Sequence, residues 1–206
     1  MSNQPSRPTD SASWDQRYVD GTHPWDTGRP DAHLPAVLEA HGVRPGSALE
    51  IGCGTGTNAV WLARRGFQVT GVDLSPTAIA RAKARAAGAG AEVRLLAADF
   101  LVDEVPGRPF AFVYDRGCFH VFRDVEERAR FASRVHGLLD PGGIWHSLIG
   151  STDGPPREVG PPRHSALDVA SAVEPLFEIL ELRSTMFDDD GHSDARAWVL
   201  VARRRG

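Results

Sequence analysis

The sequence predicts an α/β fold: a doubly wound, mostly parallel sheet with helices on both faces. Three observations carry that expectation. From residue 31 onward, apolar runs of strand length alternate with stretches of helical periodicity. The first run breaks into alternating glycines, Ala48-Leu-Glu-Ile-Gly-Cys-Gly-Thr-Gly-Thr-Asn58, the pattern of strand, tight turn and helix. The last two runs follow one another with no helical stretch between them, which suits an antiparallel pair at one edge.

Taken in order, residues 1 to about 12 are polar and read as disordered. Trp14 to Pro30 concentrates two tryptophans and a tyrosine among Gly and Pro residues that deny it a long helix. Asp31 to His41 reads as an amphipathic helix, Ala48–Ile51 as the first strand, and Asn58–Arg65 as a helix closed by Gly66. Gln68–Asp73 is the second strand. Leu74-Ser-Pro-Thr then starts a helix, with Ser75 as N-cap and Pro76 at its first position, that runs through Ala87. Glu92–Leu96 and the apolar Phe110–Tyr114 are the third and fourth strands. Asp124 caps a helix through Leu139, and Asp140-Pro-Gly-Gly143 turns the chain into the fifth strand, Ile144–Ile149. A long Gly- and Pro-rich loop, Ser151–Arg163, precedes a helix from Ala166 to Pro175 and the final strands Phe177–Leu182 and Ala197–Ala202.

The glycine turn is a place for a ligand. Glycine lets the chain take positive φ and lets a bound group press against the backbone, at the start of a helix with unpaired N–H groups. About 20 residues on, the second strand ends in Asp73, the spacing at which a parallel strand offers a carboxylate to ribose hydroxyls. The spacing Gly52-x-Gly54-x-Gly56 departs from the Gly-x-Gly-x-x-Gly of dinucleotide sites, and Glu50 would repel pyrophosphate while suiting a cation. S-adenosylmethionine, which has no phosphate and carries a sulfonium and an ammonium, fits both features. A nicotinamide-dependent oxidoreductase and a non-enzymatic cofactor sensor are the competing classes.

Composition narrows the rest. The 206 residues suffice for one domain, 31–206, preceded by a cofactor-covering segment, 1–30. A net charge of -4, with Arg203-Arg204-Arg205 the only basic run, argues against a nucleic-acid partner. Cys53 and Cys118 are too far apart for a Cys-x-x-Cys metal pair, and the first residues lack a signal-like apolar run. The expectations are a cytoplasmic protein, monomeric or weakly dimeric, with no metal and no membrane span.

With these motifs placed, the chain resembles class I S-adenosylmethionine-dependent methyltransferases. Trp14-x-x-Arg-Tyr-x-x-Gly-Thr-x-Pro-Trp25 and Tyr-Asp115-Arg-Gly-Cys-Phe-His120 are similar to the thiopurine S-methyltransferase superfamily, which includes halide and thiol methyltransferases. The Gly154-Pro-Pro and Gly160-Pro-Pro repeats are similar to its substrate loop. The resemblance implies a Rossmann-like seven-stranded sheet with one antiparallel edge strand. It implies a cofactor site of Trp14, Trp25, Glu50, Gly52, Gly54, Gly56, Asp73, Leu74, Asp99, Phe100 and Asp115. Within it the glycines line the methionine part, Asp73 takes the ribose, Asp99 and Phe100 take the adenine, and the two tryptophans close over it.

A small-molecule methyl acceptor would then meet Trp25, Arg116, Phe119, His120, Arg163 and His164. Arg116 and His120 are the candidate catalytic residues. Arg116 would meet the cofactor carboxylate or the substrate, where it would stabilise an anionic nucleophile, and His120, or failing it His164, would serve as base if the acceptor must lose a proton. A soft nucleophile (thiol, selenol or halide) is the first expectation, and an aromatic or heterocyclic hydroxyl or amine the alternative.

Overall fold

A computed structural model describes residues 11–154, 162–187 and 195–206. Seven strands form one sheet: β1 (Ser47–Ile51), β2 (Gln68–Asp73), β3 (Val93–Ala97), β4 (Phe110–Arg116), β5 (Leu139–Gly150), β6 (Phe177–Met186) and β7 (Arg196–Arg204). Their spatial order is β3-β2-β1-β4-β5-β7-β6. β1 to β5 pair in parallel, while β7 runs antiparallel to both β5 and β6. The antiparallel pair expected at one edge is present; β7 slots in next to β5, and β6 forms the physical edge.

The helices are α1 (Ser11–Val19), α2 (His33–Ala40), α3 (Thr57–Ala63), α4 (Pro76–Gly88), α5 (Val125–Leu138) and α6 (Ala166–Val173). Successive strand residues point to opposite faces. Leu49, Ile51 and Val113 therefore pack with Phe131 and Val135 of α5 and Val169 and Val173 of α6. Ala48, Phe112 and Tyr114 pack on the other face with Leu34 and Val37 of α2 and Ala59 and Leu62 of α3. Helix α4 covers that same side through Ile79, Ala82 and Ala86. Among the described residues, no helix is long and apolar enough to cross a membrane.

Element boundaries move where tertiary contacts compete with local signals. The helix expected from Asp31 begins at His33, because the Asp31 carboxylate accepts from His33 N–H (2.9 Å) and from the Tyr114 hydroxyl (2.7 Å). Asp140-Pro-Gly-Gly143 does not separate two elements; it is an irregularity inside β5, whose register against β4 shifts between Phe110 and Phe112. Ser75 caps α4 as expected, its hydroxyl accepting from Ala78 N–H. Ser165 starts α6 through a capping box with Asp168. Of the segment expected to be disordered, residues 1–10 lie outside the described residues, while Ser11 and Ala12 belong to α1. Both prolines of the Gly154-Pro-Pro repeat and most of the Gly160-Pro-Pro repeat fall outside them as well.

Candidate active site

β1 lies between β2 and β4, where the strand order reverses, so the loops leaving β1 and β4 diverge and open a crevice at the strand carboxyl ends. The glycine turn fills that point. Gly52, Gly54 and Gly56 all have positive φ (66°, 52° and 79°). Their duties differ. Gly52 and Gly54 line the crevice. A side chain on Gly56 would instead meet Ala82 Cβ at 2.9 Å, so that glycine permits close packing of α3 on α4 and does not face the crevice.

Residues 11–31 form a cover over the turn. Asp15 clasps the start of α4, accepting from Ser75 Oγ (2.6 Å), Thr77 N–H (2.8 Å) and Thr77 Oγ1 (3.1 Å), contacts that hold its carboxyl below the usual range. Arg81 donates to the Tyr18 carbonyl (2.9 Å). Asp26 accepts from Thr55 Oγ1 (2.6 Å), and Arg85 grips the Thr55 carbonyl (2.9 Å) and hydroxyl (3.1 Å). Trp25 lines the crevice, whereas Trp14 stands behind it, edge-on at 5.8 Å. Tyr18 sits directly on the turn, its hydroxyl 2.9 Å from where a Cβ on Gly54 would be and accepting from Trp25 Nε1 (3.2 Å). Motif reasoning misses Tyr18, Asp15 and Asp26. A signal for Asp15 exists in principle, since Ser75-Pro-Thr77 marks a helix start that favours an acid nearby.

Two acids face this region. Glu50 is buried at the crevice wall; Asn58 Nδ2 donates to its Oε1 (3.1 Å), and its Oε2 makes no hydrogen bond among the described residues. Burial pushes its carboxyl up to about 8, with the Asn58 and Ala59 donors opposing the rise. Thr57 Oγ1, also on the crevice, is a second buried polar atom without a partner among the described residues. Asp73 reaches from the end of β2 to the turn, accepting from Gly54 N–H (2.8 Å) and Ser75 N–H (2.9 Å); burial raises its pKa and those donors lower it.

The pleat of β4 separates the residues predicted at its end. Arg116 points to the crevice, its Nη1 donating to the Trp25 carbonyl (3.2 Å) and its guanidinium 5.4 Å from the Phe187 ring centre. Asp115, one residue earlier, points to the opposite face. There it accepts from Cys118 N–H, Phe119 N–H and Trp145 Nε1, with its pKa pushed up to about 6 by burial. It organises the turn after β4 and is not among the residues lining the crevice. Phe119 is fully buried against Phe131 and Trp145, and Phe100 packs edge-on to Phe131, so both serve the core. Asp99 stands at the end of β3 and accepts from Leu101 N–H; Leu74 is half-buried beyond β2.

His120 is 6% exposed, and its Nδ1 accepts from Gly150 N–H at 3.0 Å. His164 is buried with Nε2 3.0 Å from the His120 carbonyl, and burial lowers its pKa. Its N–H donates to the Gly150 carbonyl at the end of β5, and it is not among the residues lining the crevice. Arg163 is half-buried beside it. Among the described residues, no group of three or more His, Cys, Asp and Glu side chains is placed to hold a metal.

A glycine turn at the switch point, an acid before it, an acid ending the next strand and an aromatic cover define a Rossmann-like enzyme that takes a nucleoside cofactor. Residues 48–143 match the methyltransferase-domain family. The "Probable thiol methyltransferase 2" of Arabidopsis thaliana is 33% identical over 155 residues, 72% of this chain and 68% of that protein. A solved structure from work on the conversion of a disulfide bond into a thioacetal group during echinomycin biosynthesis is 28% identical, with a TM-score of 0.79 over 95% of this chain and 92% of that one. The 1,6-didemethyltoxoflavin-N1-methyltransferase of Burkholderia thailandensis, solved with S-adenosylhomocysteine, shares the fold at 23% identity and a TM-score of 0.77, covering 100% of this chain and 94% of that one.

The chain belongs to the class I S-adenosylmethionine-dependent methyltransferases. Its cofactor is S-adenosylmethionine, and two atoms of the crevice residues suit its amino-acid end: Glu50 Oε2, buried without a partner among the described residues, suits a cation, and the Thr57 hydroxyl offers a donor to a carboxylate.

Proposed function

We propose that this methyltransferase acts on a small molecule bearing a soft nucleophile, a thiol in the first instance, with selenol or halide accessible to the same chemistry. The observation that carries the reading is the bond between Gly150 N–H and His120 Nδ1. A backbone N–H can only donate, so that nitrogen is the imidazole's acceptor and the proton of the neutral ring lies on Nε2. His120 therefore has no lone pair to spare for an acceptor's proton, and an acceptor that ionises by itself suits the site.

Arg116 supplies the complementary half. Its charge is fixed on the crevice wall by the Trp25 carbonyl and the Phe187 ring. A thiol has a reference pKa near 8.5, and an adjacent guanidinium lowers it, raising the thiolate fraction at neutral pH. The cofactor supplies an electrophilic methyl group on a sulfonium. Arg116 would hold the acceptor as its thiolate, the thiol proton having left to solvent. The remaining task is alignment, which can supply roughly 7–11 kcal/mol. The names of the two relatives that concern thiols and disulfide sulfur agree with this choice.

The test compares thiophenol, phenol and aniline at equal concentration by release of S-adenosylhomocysteine. Thiophenol is expected to turn over at least about tenfold faster, and Arg116→Met to lower kcat/KM at neutral pH and move the pH midpoint upward, since a nearby cation favours the thiolate. His120→Asn, which keeps an acceptor for Gly150 N–H, should spare turnover. Faster turnover of phenol or aniline, with loss of activity in His120→Asn, would overturn the thiol reading in favour of an oxygen or nitrogen acceptor.

A further inference from the structure

The cover and the acid at the crevice wall are joined by one side chain. Asn58 Oδ1 accepts from the backbone N–H of Asp31 (2.8 Å), where the cover ends, and Asn58 Nδ2 donates to Glu50 Oε1 (3.1 Å). Both ends of the amide are used, so its orientation is determined by the two partners together. Asp31 is itself anchored, its carboxylate accepting from the buried Tyr114 hydroxyl (2.7 Å) and from His33 N–H (2.9 Å). The result is a continuous hydrogen-bonded path from β4 through the end of the cover to the carboxylate of Glu50, a crevice-lining residue whose second oxygen, Oε2, is buried without a partner among the described residues.

We propose that Asn58 is a positioning residue that couples docking of the 11–31 cover to the orientation and charge of Glu50, so that the cover closes and the cofactor-facing carboxylate is set as one event. The inference rests on the S-adenosylmethionine assignment and is independent of which acceptor is methylated. When the cover docks, Asp31 N–H holds the Asn58 carbonyl oxygen and thereby aims its NH₂ at Glu50. When the cover lifts, the amide loses that constraint and Glu50 loses an oriented donor.

The charge on Glu50 gives this coupling a readout. In the empty crevice burial favours the neutral acid, reinforced by Asp73 at the end of β2 and Asp31 at the end of the cover; Asn58 and Ala59 N–H favour the carboxylate. Arg116 of β4 and Asp26 and Tyr18 of the cover share the same crevice. A cationic cofactor favours the carboxylate, so affinity should rise with pH and level off near the pKa of the empty site, about 8. Removing the Asn58 donor moves that midpoint upward, because the carboxylate is the form it stabilises.

The experiment is a double-mutant cycle on the full chain, with S-adenosylmethionine titrated calorimetrically across pH 6 to about 9, the range spanning the Glu50 midpoint. Asn58→Ala should weaken binding by about tenfold, the scale of one hydrogen bond to a charged group, and shift the midpoint upward. In the Glu50→Gln background the profile should keep only the titration of the cofactor's own amine, and adding Asn58→Ala should change affinity by less than about twofold. Tryptic cleavage after Arg17, inside the cover, should be faster in Asn58→Ala than in the parent chain. If Asn58→Ala does not fold, Asn58→Leu preserves the volume and removes both hydrogen bonds. Additive effects of the two substitutions, or an unmoved midpoint, would overturn the coupling and reduce Asn58 to a separate contact.

Discussion

Asp73→Ala is expected to weaken S-adenosylmethionine and S-adenosylhomocysteine binding by roughly two orders of magnitude, the equivalent of about 3 kcal/mol. The reason is more than the loss of the ribose acceptor expected of Asp73. One oxygen of the carboxylate holds Gly54 N–H and the other holds Ser75 N–H, so the same side chain shapes the glycine turn and the start of α4. Asp73→Asn should be nearly as damaging despite its size. Each oxygen faces a backbone donor, and an amide must turn its NH₂ toward one of them. Calorimetric titration of both ligands decides the matter: unchanged affinity in either variant would remove Asp73 from the cofactor site.

Gly150→Ala should do the opposite, retaining cofactor affinity while lowering acceptor turnover by about 100-fold, the loss that a displacement of about 1 Å can produce. A Cβ at this position would overlap the Pro162 carbonyl oxygen, a backbone atom that no rotamer change can move aside. The same residue donates to His120 Nδ1 (3.0 Å) and accepts from His164 N–H (2.7 Å). Displacing Pro162 thus disturbs His120, whose ring stands 5.9 Å from that of Phe187, without touching the glycine turn. Overpacking should also cost about 1–3 kcal/mol of stability, read as a lowered Tm. Full turnover with an intact cofactor Kd would show that this wall does not bear on the acceptor.

Several elements are legible in the chain because their signals are local. Ser75-Pro76 marks the start of α4, and the alternation of apolar runs with helical stretches implies the sheet. Glu50 and Gly54 line one crevice, and Asp73 reaches the Gly54 N–H of the same turn, because a strand, a turn and the next parallel strand have few ways to pack. Gly56 reads as part of the ligand cradle because glycine spacing alone does not separate a glycine facing a ligand from one facing Ala82. Asp115 and Arg116 read together as one site, yet one is buried on the α5 side and the other lines the crevice. The period of two in β4 makes that separation obligatory, but which parity faces the crevice depends on the neighbouring strands.

The sequence by itself determined the fold class, the glycine turn and the acids that frame it, since these follow from periodicity and backbone freedom within some 30 residues. Only the tertiary structure decided the rest. Tyr18 lies on the turn because Asp15 and Arg81 dock the cover on α4, across separations of 60 and more residues. His120 is a donor at Nε2 because Gly150, 30 residues away, occupies its other nitrogen. Asn58 links cover to acid because Asp31, 27 residues before it, returns to the same place. Long-range hydrogen bonds assign the direction of each polar group, and no local pattern encodes the partner that sets it.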